Sequence, residues 1–136
     1  MLTIEIPGEL RGKGRPRFGK GRAYTDKKTE TAEAFVRTCA ALAYKGPPMD
    51  CAVRLSLTLA VPVPASWSKK KREQALAGAI WPTGKPDLDN VLKLVGDACN
   101  GILWADDRQI VSAYVCRRYA EAPHASLSVW SADQPA

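Results

Sequence analysis

The 136 residues include a single histidine, two phenylalanines and two methionines, and these shortages exclude several chemistries. Cysteine–histidine catalysis would have to use His124, which stands in a Pro-His-Ala turn near the end of the chain. Of the four cysteines, Cys39, Cys51, Cys99 and Cys116, no two are close enough to form a CxxC clip, which argues against a zinc finger or ribbon. Three of them fall within apolar patterns, where a reduced cysteine acts as a small hydrophobe. No apolar run approaches the roughly 18 residues that a membrane span requires. The first segment, MLTIEIPGELRGKGR, places its charges after its apolar residues, the reverse of a secretory signal, so a cytoplasmic location is expected and no membrane partner. Repeats, low-complexity tracts and linkers are also lacking. With 46% hydrophobic and 25% charged residues, the composition predicts one folded domain spanning 1–136.

Acids are the scarcer charge, 14 against 20 lysines and arginines, for a net charge of +6. The excess is concentrated. Residues 11–28 carry Arg11, Lys13, Arg15, Arg17, Lys20, Arg22, Lys27 and Lys28 against Asp26 alone, and Lys69, Lys70, Lys71 and Arg72 form a second run. Five aspartates, Asp87, Asp89, Asp97, Asp106 and Asp107, gather in the C-terminal half. A basic surface beside a group of carboxylates suits a polyanionic ligand, with a metal ion to reconcile the two.

Hydrophobic periodicity sets the elements. LTIEIP at residues 2–7 alternates as a short strand. The glycine-rich, basic stretch that follows predicts an extended hairpin or mobile loop turning near Gly19-Lys20-Gly21. Residues 27–44 contain no glycine or proline, and Ala34, Phe35, Thr38, Ala41 and Leu42 recur at helical spacing, so a helix of four to five turns is expected before Gly46-Pro47-Pro48. Strict alternation from Cys51 to Val63 predicts a strand, and Ser66 or Ser68 can cap a short helix over 69–77. A Trp-Pro-Thr-Gly-Lys-Pro loop then leads into a helix over 88–100. Residues 110–118 and 126–131 read as a closing pair of strands, a final hairpin. The expected fold is α+β, with helices packed on a small mixed sheet.

Within the 88–100 helix, Asp89, Lys93, Gly96, Asp97 and Asn100 fall on one arc, and Val91, Leu92, Leu94, Val95, Ala98 and Cys99 on the other. One reading is structural: Asp87 caps the helix, Asp89 favours its positive end, and Asp89, Lys93 and Asp97 form an i,i+4 ladder. That leaves the adjacent pair Asp106-Asp107 unexplained. The other reading has two aspartates one residue apart converge with a third on a divalent ion, since hard Mg²⁺ prefers carboxylate oxygens.

The run Lys85-Pro86-Asp87-Leu88-Asp89-Asn90-Val91-Leu92-Lys93, followed by Asp97-Ala98-Cys99-Asn100-Gly101-Ile102-Leu103-Trp104 and Asp106-Asp107-Arg108-Gln109, resembles the RusA family of Holliday-junction resolvases. Lys13-Gly14-Arg15-Pro16-Arg17-Phe18, Tyr24-Thr25 and Ser68-Lys69-Lys70-Lys71-Arg72-Glu73 are similar to phage-type members. The resemblance implies a homodimeric, Mg²⁺- or Mn²⁺-dependent endodeoxyribonuclease acting on four-way DNA junctions, without a small-molecule cofactor. Carried over by position, Asp87, Asp89 and Asp107 become the catalytic and metal-holding acids and Lys93 the catalytic lysine. Pro86 stands where the family has a basic residue, with Lys85 one position earlier. Phosphate contacts are then expected from Arg11, Lys13, Arg15, Arg17, Lys20, Arg22, Lys69, Lys70, Lys71, Arg72 and Lys85. Phe18, Trp81 and Trp104 are candidate wedges for unstacked bases, although Trp104 also suits the core. A generic branched-DNA nuclease and a catalytically silent DNA-binding protein are the other readings. A dehalogenase-type phosphatase, which also begins with DxD, would need a larger α/β domain.

Overall fold

A computed structural model describes residues 1–14, 17–19, 21–24 and 26–134, with backbone alone for Arg17 and Tyr24. The chain forms β1 (Leu2–Pro7), β2 (Arg17–Gly19), β3 (Arg22–Tyr24), α1 (Lys27–Ala43), β4 (Val53–Pro62), α2 (Lys69–Leu76), α3 (Leu88–Ala98), a 3₁₀ turn (Asp107–Gln109), β5 (Ile110–Ala120) and β6 (His124–Ser131). Strands β1, β6, β4 and β5 lie in that order in one sheet. β4 and β5 are parallel, whereas β6 is antiparallel to both β1 and β4. This is the expected α+β fold with a mixed sheet.

Alternation decides which side of the sheet is core. Ile4 and Ile6, Leu55, Leu57 and Leu59, and Ala125, Leu127 and Val129 are buried on one face, each large side chain contributing about 1.5–3 kcal/mol. α3 supplies the matching apolar arc: Val91, Leu94, Val95, Ala98 and Cys99 are buried among these strand residues. The four cysteines are free, and burial pushes the Cys99 thiol up to about 12. Trp104 is fully buried in the same core.

Two expectations need correction. The closing strands do not form a hairpin: β5 and β6 flank β4 on opposite sides. Ala120 of β5 pairs with Pro62 and His124 of β6 with Ala60, so residues 121–123 cross the C-terminal end of β4 between its two neighbours. The predicted stripe of α1 also points the wrong way. Thr29, Val36 and Ala40 are its buried residues, whereas Ala34, Phe35, Thr38, Ala41 and Leu42 are exposed. Alanine and threonine are spread all round this helix, so its periodicity is weak.

The glycine-rich segment does form a hairpin, β2–β3, with Gly21 at φ +76° in its turn. Arg15 and Lys20 lie outside the described residues, as does the Arg17 side chain.

Candidate active site

The site is built where α3 overhangs the start of β5. Asp87 occupies the N-cap position of α3 with extended backbone, but its side chain makes no capping bond. The expected cap is therefore absent, and this carboxylate stays exposed. The loop before it is held by Arg117 of β5, whose guanidinium donates to the carbonyls of Gly84 and Pro86, the latter at 2.8 Å. From the other side, Gly12 packs so closely that a Cβ there would lie 2.8 Å from the Pro86 Cβ and 3.0 Å from that of Asn90. The Lys13 amide donates to the Asn90 carbonyl at 3.1 Å. The 12–14 segment is thus laid across the start of α3.

Asp89 and Lys93 follow one turn apart on the exposed side of α3. Together with Leu92, Gly96, Asp107 and Ile110 they line an open cleft of about 400 Å³. The predicted ladder does not form. Among the described residues Lys93 pairs with neither Asp89 nor Asp97, and Asp97 is taken by Lys13, which also reaches Glu33 at 3.4 Å. The hydrogen bond to Asp97 raises the Lys13 pKa above its ordinary value, with the charge of Glu33 acting in the same sense and burial against it.

The two acids of the Asp106-Asp107 pair have separate tasks. Asp106 caps the 3₁₀ turn: its carboxylate accepts from the Arg108 amide at 2.9 Å, which holds its pKa below the usual range. Its own amide donates to Gln109 Oε1 at 2.9 Å, completing a capping box. Gln109 in turn donates through Nε2 to the carbonyls of Met49 and Cys51, tying the turn to the chain just ahead of β4. Asp107 is left facing the cleft. Asn100 Nδ2 lies 3.4 Å from its Oδ1, and Asn100 Oδ1 accepts from the buried Trp104 indole at 3.0 Å. Gly96, buried on α3, makes room: a Cβ there would lie 3.3 Å from that of Asp107.

Of the predicted site residues, Asp89, Lys93 and Asp107 therefore share one cleft. Asp87 lines the adjacent one, about 540 Å³, with Arg11, Lys13 and Lys85. Lys69, Lys70 and Lys71 are exposed on α2 and line neither cleft, with Lys71 Nζ 4.0 Å from the centre of the Trp67 ring. Arg72 on the same helix is half-buried and Arg22 on β3 is exposed. Phe18 and Trp81 are 83% and 62% exposed, free to meet a ligand, whereas Trp104 is core. No group of three acidic, histidine or cysteine side chains able to hold a metal ion occurs among the described residues. The donor set that does assemble, two carboxylates open to water with Asp89 accepting no hydrogen bond among the described residues, fits a hard ion that keeps most of its water shell. Arg117 carries no local signal in the sequence, whereas Gly96 and Asn100 lie on the polar arc of the helix without a role assigned to them there.

The family model described as "Endodeoxyribonuclease RusA" matches residues 7–129, nearly the whole chain. The chain belongs to the RusA family. It is also similar to an uncharacterized Bacillus subtilis protein, YqaN, with 33% identity over 134 residues and 94% of each chain covered. The RusA match spans both clefts, the 12–14 segment, the Arg117 clamp and the Asn100–Asp107 contact. No helix among the described residues is long and apolar enough to cross a membrane.

Proposed function

We propose that this protein is a structure-selective endodeoxyribonuclease that resolves four-way DNA junctions in recombination and repair, working in the cytoplasm as a homodimer with Mg²⁺ or Mn²⁺. The observation that carries the reading is the convergence of Asp89, Lys93 and Asp107 on one solvent-open cleft, within a RusA family chain. Two-fold assembly suits a substrate whose two cleaved strands are related by symmetry.

In this reading Asp89 and Asp107 hold the ion, and Asp87 serves from the neighbouring cleft, where Arg11 and Lys85 draw in the scissile strand. When bound, the ion supplies an activated water and Lewis-acid stabilisation of phosphate charge. Lys93 faces the same space with no carboxylate partner among the described residues, so its ammonium is available to the charge that develops on the phosphoryl and leaving oxygens. Asn100 and Gln109 fix Asp107 from behind. Asp97 serves structure: it anchors Lys13.

The test is cleavage of a labelled four-way junction beside matched duplex and flap DNA, with Mg²⁺ or EDTA. Paired nicks in the junction alone are expected, abolished by EDTA and by Asp89→Asn. Lys93→Met should retain binding and lose about 10²–10³ in rate. Equal cutting of flaps and junctions would demote the protein to a generic branched-DNA nuclease. Tight junction binding without cleavage in either metal would sink the catalytic reading.

A further inference from the structure

Phe35 has no part in the site described above, yet it is 46% exposed on a helix whose buried residues are Thr29, Val36 and Ala40. A helical side chain leans back over the residues three and four positions earlier. For Phe35 these are Ala32 and Thr31, both small, so the ring is left uncovered. It lines a groove of about 650 Å³ together with Glu9, Arg11, Lys27, Lys28, Thr31 and Ala32. Arg11 also lines the Asp87 cleft, so the two cavities share one residue.

We propose that this groove is a subsite for an unpaired nucleotide of the DNA strand leaving the Asp87 cleft, with its base stacked on Phe35 and its phosphates on Arg11, Lys27 and Lys28. The inference rests on the nuclease reading and extends it to the substrate's conformation. Duplex DNA hides its base faces in the stack, so an aromatic ring framed by cations gains only from an unstacked base. Protein partners are disfavoured by Lys27 and Lys28, because lysine is depleted at the centres of protein interfaces. Glu9, the one acid lining the groove among the described residues, offers an acceptor for the amino edge of a base.

The experiment uses the full chain carrying Asp89→Asn, which leaves DNA uncut. A four-way junction and a single-stranded oligonucleotide each carry 2-aminopurine at successive positions, and emission and affinity are read at fixed salt. Quenching is expected at a nucleotide beside the crossover and in the single strand. Phe35→Trp should keep it. Phe35→Leu, which preserves apolar bulk without a ring, should abolish it and weaken binding about tenfold. Lys28→Gln should lower the slope of log affinity against log salt by about 1, a change Phe35→Leu should not cause. Unchanged quenching and affinity with Phe35→Leu would overturn the proposal. So would a change in the sedimenting mass of the DNA-free protein, which would make this face a contact between copies. Loss of junction preference with a Phe35-dependent signal on single strands would instead count against the resolvase reading alone.

Discussion

Asp107 owes its position to neighbours that carry no charge. Gly96 gives its Cβ room, Asn100 reaches its carboxylate, and Asn100 is itself oriented by the indole N–H of a fully buried Trp104. The adjacent acid, Asp106, is consumed by the capping box with Gln109. Gly96→Ala separates these effects. Alanine gains about 0.8–1 kcal/mol of helix propensity, which offsets the crowding of a Cβ placed 3.3 Å from that of Asp107. The melting temperature should therefore stay within about 4 °C of wild type. Junction cleavage should fall about ten- to hundredfold, because a displaced carboxylate misplaces what it holds. Calorimetry beside single-turnover cleavage decides this. A variant that melts normally and cuts normally would show that Asp107 does not need its present position.

At the next scale, Lys13 connects three pieces of chain. Its backbone bonds to Asn90 of α3, its ammonium pairs with Asp97 of α3 and Glu33 of α1, and Gly14 beside it donates to Thr29 Oγ1 at 2.9 Å. Lys13→Met leaves two half-buried carboxylates facing each other without their cation, at a cost of about 1 kcal/mol at pH 7. Since the folded-state pKa is raised, this contribution is complete below the unfolded value near 10.5 and fades as the pH climbs through the folded value. The difference in melting temperature between wild type and Lys13→Met should hold from pH 6 to 9 and close above it, as thermal melts by circular dichroism would report. Constancy of the gap into strongly alkaline solution would assign it to packing. These cross-element bonds are not legible in the sequence, where Lys13 reads as one more phosphate contact. What is legible is what local pattern encodes: the alternation of β4, the apolar arc of α3, the serine cap of α2 (at Ser68, one of two candidates) and the DLDN-to-DDRQ spacing that locates the cleft. Strand adjacency is not, because nothing within residues 110–131 says that β4 lies between β5 and β6. The buried face of α1 is hidden too, because small residues surround the helix.

At the scale of the molecule, basic side chains among the described residues stand both at the Asp87 cleft and on α2. Arg11 and Lys85 stand beside Asp87, whereas Lys69 and Lys70 are exposed on α2, just after Trp67, whose ring lies 5.2 Å from that of Tyr119 on β5. Neither Lys69 nor Lys70 lines the two clefts, so their effect on DNA is confined to attraction of phosphates. Lys71 is a poorer probe, because its ammonium also lies over the Trp67 ring. The double substitution Lys69→Gln/Lys70→Gln should thus weaken junction binding at physiological salt and lower the salt slope by about 1 for each phosphate left without its lysine. Single-turnover cleavage at saturating protein should stay at the wild-type rate, because neither side chain lines the cleft of Asp89, Lys93 and Asp107. Asp89→Asn should do the reverse, removing cleavage while preserving the slope. Titrations across a salt series, paired with cleavage at saturation, separate the two classes. A wild-type salt slope for the double variant would place the DNA on the cleft side alone, and a fall in its saturating rate would mean that α2 helps set the substrate's geometry.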